Sequence, residues 1–356
     1  MLAVNAQQRH GDDSGVDTSL HVAGIAPLRS ITRARPRLTP PSPRGPLSAW
    51  VLGRLAGRSA ARPAVGRLDA FDDDLQVALY CCYEPHFSDL PGVVGEPEWD
   101  PELLTLRQEL ESAFERGLRE VVAPPPHVGS VRTTIPAMIG ADDGPSLSTF
   151  MEGEGTRARL CELVVHRSAY QLKEADGHTL GIPRLAGRAK QLLARIQAGE
   201  YGVDADDRTM HAELFARTMS ALGLDPRPNA YLDVLPGSAL AISNIISMFG
   251  LHRRWRGALV GHLAVFEMTS VEPMGRYSRA LARLGAGPDA RRFYDVHVLA
   301  DAEHEAMALD MATALAATEP ALAVDVVFGA SCAIAAERRF TACLLERWSA
   351  EAGSRA

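Results

Sequence analysis

The sequence predicts an all-α protein, an antiparallel helical bundle built as one domain over residues 69–350. Three observations carry this. Apolar residues recur at helical spacing in nearly every segment beyond Asp69, strand-like alternation is scarce, and long helical stretches are joined by short links marked by Pro and Gly. With 356 residues, 46% of them hydrophobic, the chain is long enough to bury a large core.

Residues 1–68 read differently. They hold ten arginines against three aspartates, a balance of +7 in a chain of net charge −7, so the remainder carries −14. This basic stretch, centred on RSITRARPRLTPPSPRGP, is rich in Pro and Arg and poor in aromatics, and disorder is the expectation. The acidic body argues against nucleic acid as a partner. No apolar run reaches the roughly 18 residues of a bilayer span, and the first 25 residues lack a basic segment followed by an apolar one. The expected location is cytoplasmic, with no membrane partner. Five cysteines without C-x-x-C spacing, in apolar helical text, read as buried thiols.

The elements follow in order. DAFDDDLQVALYCCYE opens with the carboxylate-rich first turn that a helix N-terminus favours. PELLTLRQELESAFERGLREVV is an amphipathic helix with Asp100 as N-cap and Pro101 at its first position. A loop through APPPHVGS and a Gly/Asp-rich region through IGADDGPS separate it from helical text that resumes near Thr156 and runs to YQLKEAD. Helices follow in IPRLAGRAKQLLARIQAGE, RTMHAELFARTMSALGL, PGSALAISNIISMFGLH, RWRGALVGHLAVFEMTS and SVEPMGRYSRALARLG. DVHVLADAEH and a last long helix through about Trp348 complete the set.

Polar residues stand on several apolar faces. At about 100° per residue, Asp301 and His304 fall at about +40° and −20° from His297, so the three share one stripe with Phe293, Ala300 and Met307. Leu185, Ala189, Leu192, Leu193 and Ile196 form a stripe whose next member is Glu200. His211 stands where a leucine is expected, ahead of Leu214, Phe215, Thr218 and Leu222. Glu174 and His178, four residues apart, share a face wherever that helix persists. Each has a plainer reading: Glu200 as a last-turn carboxylate in water, His211 as a core histidine bonded to a carbonyl, Glu174 paired with Lys173 or an arginine. Together, six carboxylate and imidazole groups would converge inside a bundle. Burying them among apolar groups is costly unless they are paired or bind metal. Hard oxygen donors with imidazoles suit a non-haem di-iron site, and the absence of Cys disfavours structural zinc. No Glu-x-x-His pair of the usual ferritin-like layout occurs.

Five blocks carry a resemblance: LYCCYEPHFSDLPG, HRSAYQLKEADGHTLGIPRLAGRAK, EYG followed by MHAELFARTMSALGL, FGLHRRWRGALVGHLAVFEMTS, and DVHVLADAEHE. With them the sequence resembles the haem-oxygenase-like di-iron oxidases, the iron-containing redox enzymes, over roughly residues 75–310. The resemblance implies a haem-oxygenase-like bundle holding two Fe(II) ions, with O2 as co-substrate. It implies one ligand group of Glu174, Glu200 and His211 and another of His297, Asp301 and His304. Asp301, between two histidines, is the expected carboxylate reaching both irons. The link from Glu200 to His211 is slightly longer than the family pattern. The implied reaction oxidises a small organic substrate, by N-oxygenation or by C–H abstraction with C–C cleavage or desaturation of an amino or fatty acid. An external electron donor is compatible with it.

Further expectations are weaker in signal. Glu267 breaks an apolar helix and reads as a supporting group, a substrate-facing group or a core glutamate. Asp176 and His178 read as supporting or turn-forming groups. Tyr83, His86 and Tyr170 could line a pocket or fill the core. Arg253, Arg254 and Arg256 beside Trp255 could grip a carboxylate or form a surface cluster. The apolar helix 236–251 could supply a homodimer face. Three rivals remain: a haem oxygenase, which needs one proximal histidine and no carboxylate set; a thiaminase-like hydrolase, which needs a reactive Cys161 or Cys332; and a non-catalytic helical binding protein.

Overall fold

The computed structural model describes residues 37–125, 127–203 and 209–353. Among these residues there are helices and no strands, as the apolar periodicity predicts. Most expected helices form. α2 (Asp73–Tyr83) is capped by Asp72, whose side chain accepts from the Leu75 amide. In α3 (Pro101–Val122), Asp100 accepts from the amides of Glu102 and Leu103, which satisfies donors that the first turn cannot.

The expectation of disorder over 1–68 is corrected in part; residues 1–36 lie outside the described residues. Residues 46–55 form α1 (Pro46–Leu55), which packs on α2. Leu47, Trp50, Val51 and Leu55 give it one apolar face inside basic text, and all four are buried. The Asp74 carboxylate accepts from the amides of Leu47 and Ser48 at the start of this helix. The region between α3 and Thr156 also holds two short helices that the Gly/Asp composition hid, α4 (Val131–Gly140) and α5 (Leu147–Gly153).

The remaining helices build the site. α6 (Arg157–Gln171) ends before Glu174, and the chain turns through Ala175, at φ 79°, into the single turn α7 (Asp176–Thr179). The helix therefore does not persist, and Glu174 and His178 do not share a face. α8 (Gly187–Glu200) ends on Glu200, and α9 (His211–Ala221) begins on His211. Part of the link between them, 204–208, lies outside the described residues.

α10 (Gly237–Leu251) is buried from Gly237 to Gly250. That corrects the expectation of a dimer face there: its apolar surface is used inside the chain, against α2, α6 and α14. α11 (Arg256–Thr269), α12 (Val271–Arg283), α13 (Pro288–Thr318) and α14 (Ala323–Gly353) complete the bundle. By length and composition, Pro320–Gly353 is apolar enough to cross a membrane, but half of its most apolar stretch is buried. Here it packs on α11, α10 and α4. α13 is the hub of the site half, flanked by α8, α9, α11 and α12.

Candidate metal centre

Seven polar side chains gather where α13 meets its neighbours: Glu174, Glu200, His211, Glu267, His297, Asp301 and His304. All are buried, none more than 9% exposed. Six are the residues singled out in the sequence, and the structure brings all six together.

They form two groups of four, each with one ligand atom per residue lying within 4.8 Å of the other three. The first is Glu174, Glu200, His211 and His297; the second is Glu200, Glu267, Asp301 and His304. Glu200 belongs to both. Its Oε2 lies 2.8 Å from His211 Nδ1, and its Oε1 lies 3.4 Å from His304 Nδ1. His297 Nε2 is 3.5 Å from Glu174 Oε2, and His304 Nδ1 is 3.3 Å from Glu267 Oε2.

Two expectations change here. The shared carboxylate is Glu200, at the end of α8, and not Asp301. His297 joins the first group, not the one with Asp301 and His304. α13 advances about 10 Å over the seven residues from His297 to His304, and it lays one histidine beside each group. Sequence reasoning missed Glu267 as a member. Its signal was present as a lone carboxylate in the apolar text HLAVFEMTS.

The placement of Glu200 works against helix stability. A carboxylate at the C-terminus of α8 opposes the helix dipole. Gly199 serves the site by being small: a Cβ there would lie 2.8 Å from His304 Nε2.

Electrostatics within the cluster are correspondingly tense. Burial opposes charge on His297, yet Glu174, with Asp301 and Glu200 behind it, holds the imidazole up at about 10. Burial likewise opposes charge on His304, and Glu200 with Glu267 raises it to about 10. Burial, with Glu200 and Asp301 nearby, pushes Glu267 up to about 8. Glu200 is held far below the carboxylate range: burial disfavours its charge, but the surrounding His211, His304 and His297 prevail.

Even so, His211 Nδ1, His297 Nε2 and His304 Nδ1, which face these carboxylates, make no well-formed hydrogen bond. Close approach without hydrogen-bond geometry, in a set of carboxylate oxygens and imidazole nitrogens, fits donors arranged around metal ions. Two supports hold the set. His297 Nδ1 lies 2.8 Å from the Phe293 carbonyl, which fixes the ring and leaves Nε2 for the centre. With its amide nitrogen turned inward, Gln171 donates to both Glu174 oxygens at 2.8 and 2.9 Å.

Beside the cluster lies a cavity of about 260 Å³, lined by Glu174, Glu200, Glu267, His297 and Asp301 at one end and by Tyr170, Leu263 and Phe266 along its wall. Of Tyr83, His86 and Tyr170, expected to line a pocket or fill the core, Tyr170 lines it, and so does His178, expected as a supporting or turn-forming group. His178 Nε2 lies 3.2 Å from His262 Nδ1, and burial lowers its imidazole to about 4. Asp176 accepts from the Tyr201 hydroxyl instead. Tyr83 donates to Glu111 in the core, and His86 sits against Arg107.

The arginines around Trp255 do not reach the cavity. Arg254 pairs with Glu115 and lies over Trp255, and Arg256 pairs with Glu319. Cys161 and Cys332 are buried, and burial pushes both thiols up, the opposite of an activated nucleophile.

A family model described as iron-containing redox enzyme matches residues 161–338, half of the chain. No curated protein matches it. The matched stretch runs from within α6 to within α14 and contains all seven clustered residues, six on helices and Glu174 in the turn after α6, and the family has the haem-oxygenase-like helical fold. The chain belongs to the iron-containing redox enzymes of that fold.

Proposed function

We propose that this protein is a non-haem di-iron oxidase or oxygenase that uses O2 to oxidise a small organic substrate in the adjoining cavity. The observation that carries this reading is the sharing of Glu200, one oxygen toward each four-residue group. Glu174, Glu200, His211 and His297 would hold one Fe(II), and Glu200, Glu267, Asp301 and His304 the other. When bound, the two irons supply the oxygen-activating redox chemistry.

The chain's own residues do the rest. Glu200 ties the two groups together, with one oxygen toward His211 and the other toward His304. The apolar wall of Leu263 and Phe266 keeps bulk water from the acidic end. The reaction follows from which substrate atom reaches the carboxylate end: an amine nitrogen gives N-oxygenation, a C–H bond gives abstraction with cleavage or desaturation. The test is stopped-flow absorbance of the Fe(II)-loaded protein mixed with O2. A transient visible band whose decay is accelerated by a substrate supports the reading; stoichiometric iron with neither O2 uptake nor any absorbance change overturns it.

The tense electrostatics give a second expected result. A metal ion needs neutral imidazoles, and His297 and His304 keep their protons up to about 10 in the metal-free protein. Binding therefore releases protons, and affinity rises with pH from 6 toward 10, by about ten-fold per pH unit for each proton displaced. Co(II) titrations at pH 6, 7 and 8 measure this. An affinity independent of pH would count against these histidines as ligands.

A further inference from the structure

The end of the cavity away from the clustered carboxylates is built from an ion pair. Arg167, on α6, makes a two-pronged pair with Glu337, on α14, at 2.6 Å for each prong. Both line the cavity, as do Tyr277 and Thr341 beside them. Burial grades along the cavity. The Arg167 and Glu337 side chains are 18% and 34% exposed, whereas those of Glu200 and His297 at the other end are 7% and 4% exposed. Arg167 lies one helical turn before Gln171 on α6, and Gln171 is the residue that meets Glu174 at the other end. Tyr170 and Phe266, ring centroids 5.4 Å apart, wall the space between.

A pair placed there is not used up by its own contact. The guanidinium has five N–H donors and commits two to Glu337, with the Tyr277 hydroxyl in reach of a third and the Phe340 ring 4.4 Å from its centre; the carboxylate has about four lone-pair sites and commits two to Arg167. What remains is a donor face beside an acceptor face, with no net charge. A ligand carrying only a carboxylate meets Arg167 but is repelled by Glu337. One carrying only an ammonium meets the reverse. A carboxylate and an ammonium on adjacent atoms satisfy both at once.

We propose that the Arg167–Glu337 pair is the specificity element of this cavity and docks the zwitterionic head of a free α-amino acid, whose side chain runs along Tyr170 and Phe266 toward Glu174 and Glu200. This rests on the reading of the carboxylate end as the reacting end, but only for the direction in which the ligand lies. The cavity, at about 260 Å³, is below the usual range for drug-sized ligands and suits such a molecule better than a long acyl chain.

The experiment is isothermal titration of the full-length protein, with and without Zn(II), against the twenty L-amino acids, octanoate and dodecanoate. The tightest-binding amino acid is then compared with its deaminated acid and its decarboxylated amine. At least one amino acid is expected to bind, with both analogues weaker by about ten-fold or more, since each leaves one member of the pair facing like charge. The double variant Arg167→Met/Glu337→Met removes both charges at similar volume; it is expected to keep its helical circular dichroism and its Zn(II) binding and to lose the amino acid. Arg167→Lys should bind more weakly than the parent but better than the double variant. Binding of a fatty acid in preference to every amino acid, equal binding of the deaminated acid, or no binding by any amino acid overturns the proposal. If the double variant fails to fold, the comparison of analogues on the unaltered protein decides. Failure of Zn(II) binding with amino-acid selectivity intact would strike the metal reading and leave this one standing; the converse would do the opposite.

Discussion

Replacing Glu200 with alanine is expected to release both metal ions, whereas replacing Glu174 or Glu267 releases one. Glu200 alone faces both groups, with separate oxygens toward His211 and His304. Removing it leaves three donors on each side and brings buried imidazoles together without the carboxylate between them. Metal content after Fe(II) loading and desalting should fall from two ions per chain to well under one in Glu200→Ala. It should fall to about one in Glu174→Ala and Glu267→Ala, with each remaining ion in the undamaged group. The helical circular dichroism should persist, because Glu200 ends α8 and fills no apolar core position. Retention of one ion in Glu200→Ala would show that the two groups are independent.

A second large effect is expected at a helix crossing outside the cluster. Gly261 on α11 and Gly329 on α14 mark the closest approach of these helices. A Cβ at Gly261 would lie 1.8 Å from the Val326 carbonyl oxygen, and one at Gly329 would lie 1.9 Å from that of Ala258. Backbone cannot yield as a side-chain tip can, so Gly261→Val forces the helices apart. Destabilisation of about 3 kcal/mol or more is expected in urea unfolding, at the upper end of overpacking costs. Gly140→Val, where an added Cβ meets nothing within 4 Å, should be much milder. The crossing matters for the site because α11 carries Glu267. Gly261→Val should therefore also weaken the second metal more than the first.

How much of this was legible in the sequence depends on where each signal sits. The helices read clearly because their apolar faces are long. Leu185 through Ile196 pointed straight at Glu200, and Leu214 with Phe215 exposed His211 as the odd member of its stripe. α1 was hidden because one buried face of ten residues is diluted by the Arg and Pro around it. α4 and α5 were hidden by the Gly- and Asp-rich text between them.

Within the cluster, sequence spacing gave membership better than grouping. Membership needs only a polar residue on an apolar face. Grouping depends on how helices cross, and neither the position of α8 beside α13 nor the turn at Ala175 is written in periodicity. Glu267 illustrates the limit. A single carboxylate in an apolar helix is equally a core group or a ligand until the helices that face it are known. The Arg167–Glu337 pair joins residues 170 positions apart, and no local pattern announces it.

The central claim is that two metal ions lie side by side with Glu200 between them. The most direct measurement is anomalous diffraction at the iron edge from crystals of the Fe(II)-loaded protein. Two peaks about 3.5–4 Å apart are predicted, as in other two-metal sites, one beside His211 and His297 and the other beside Asp301 and His304. A single peak, or iron bound away from Glu200, would contradict it.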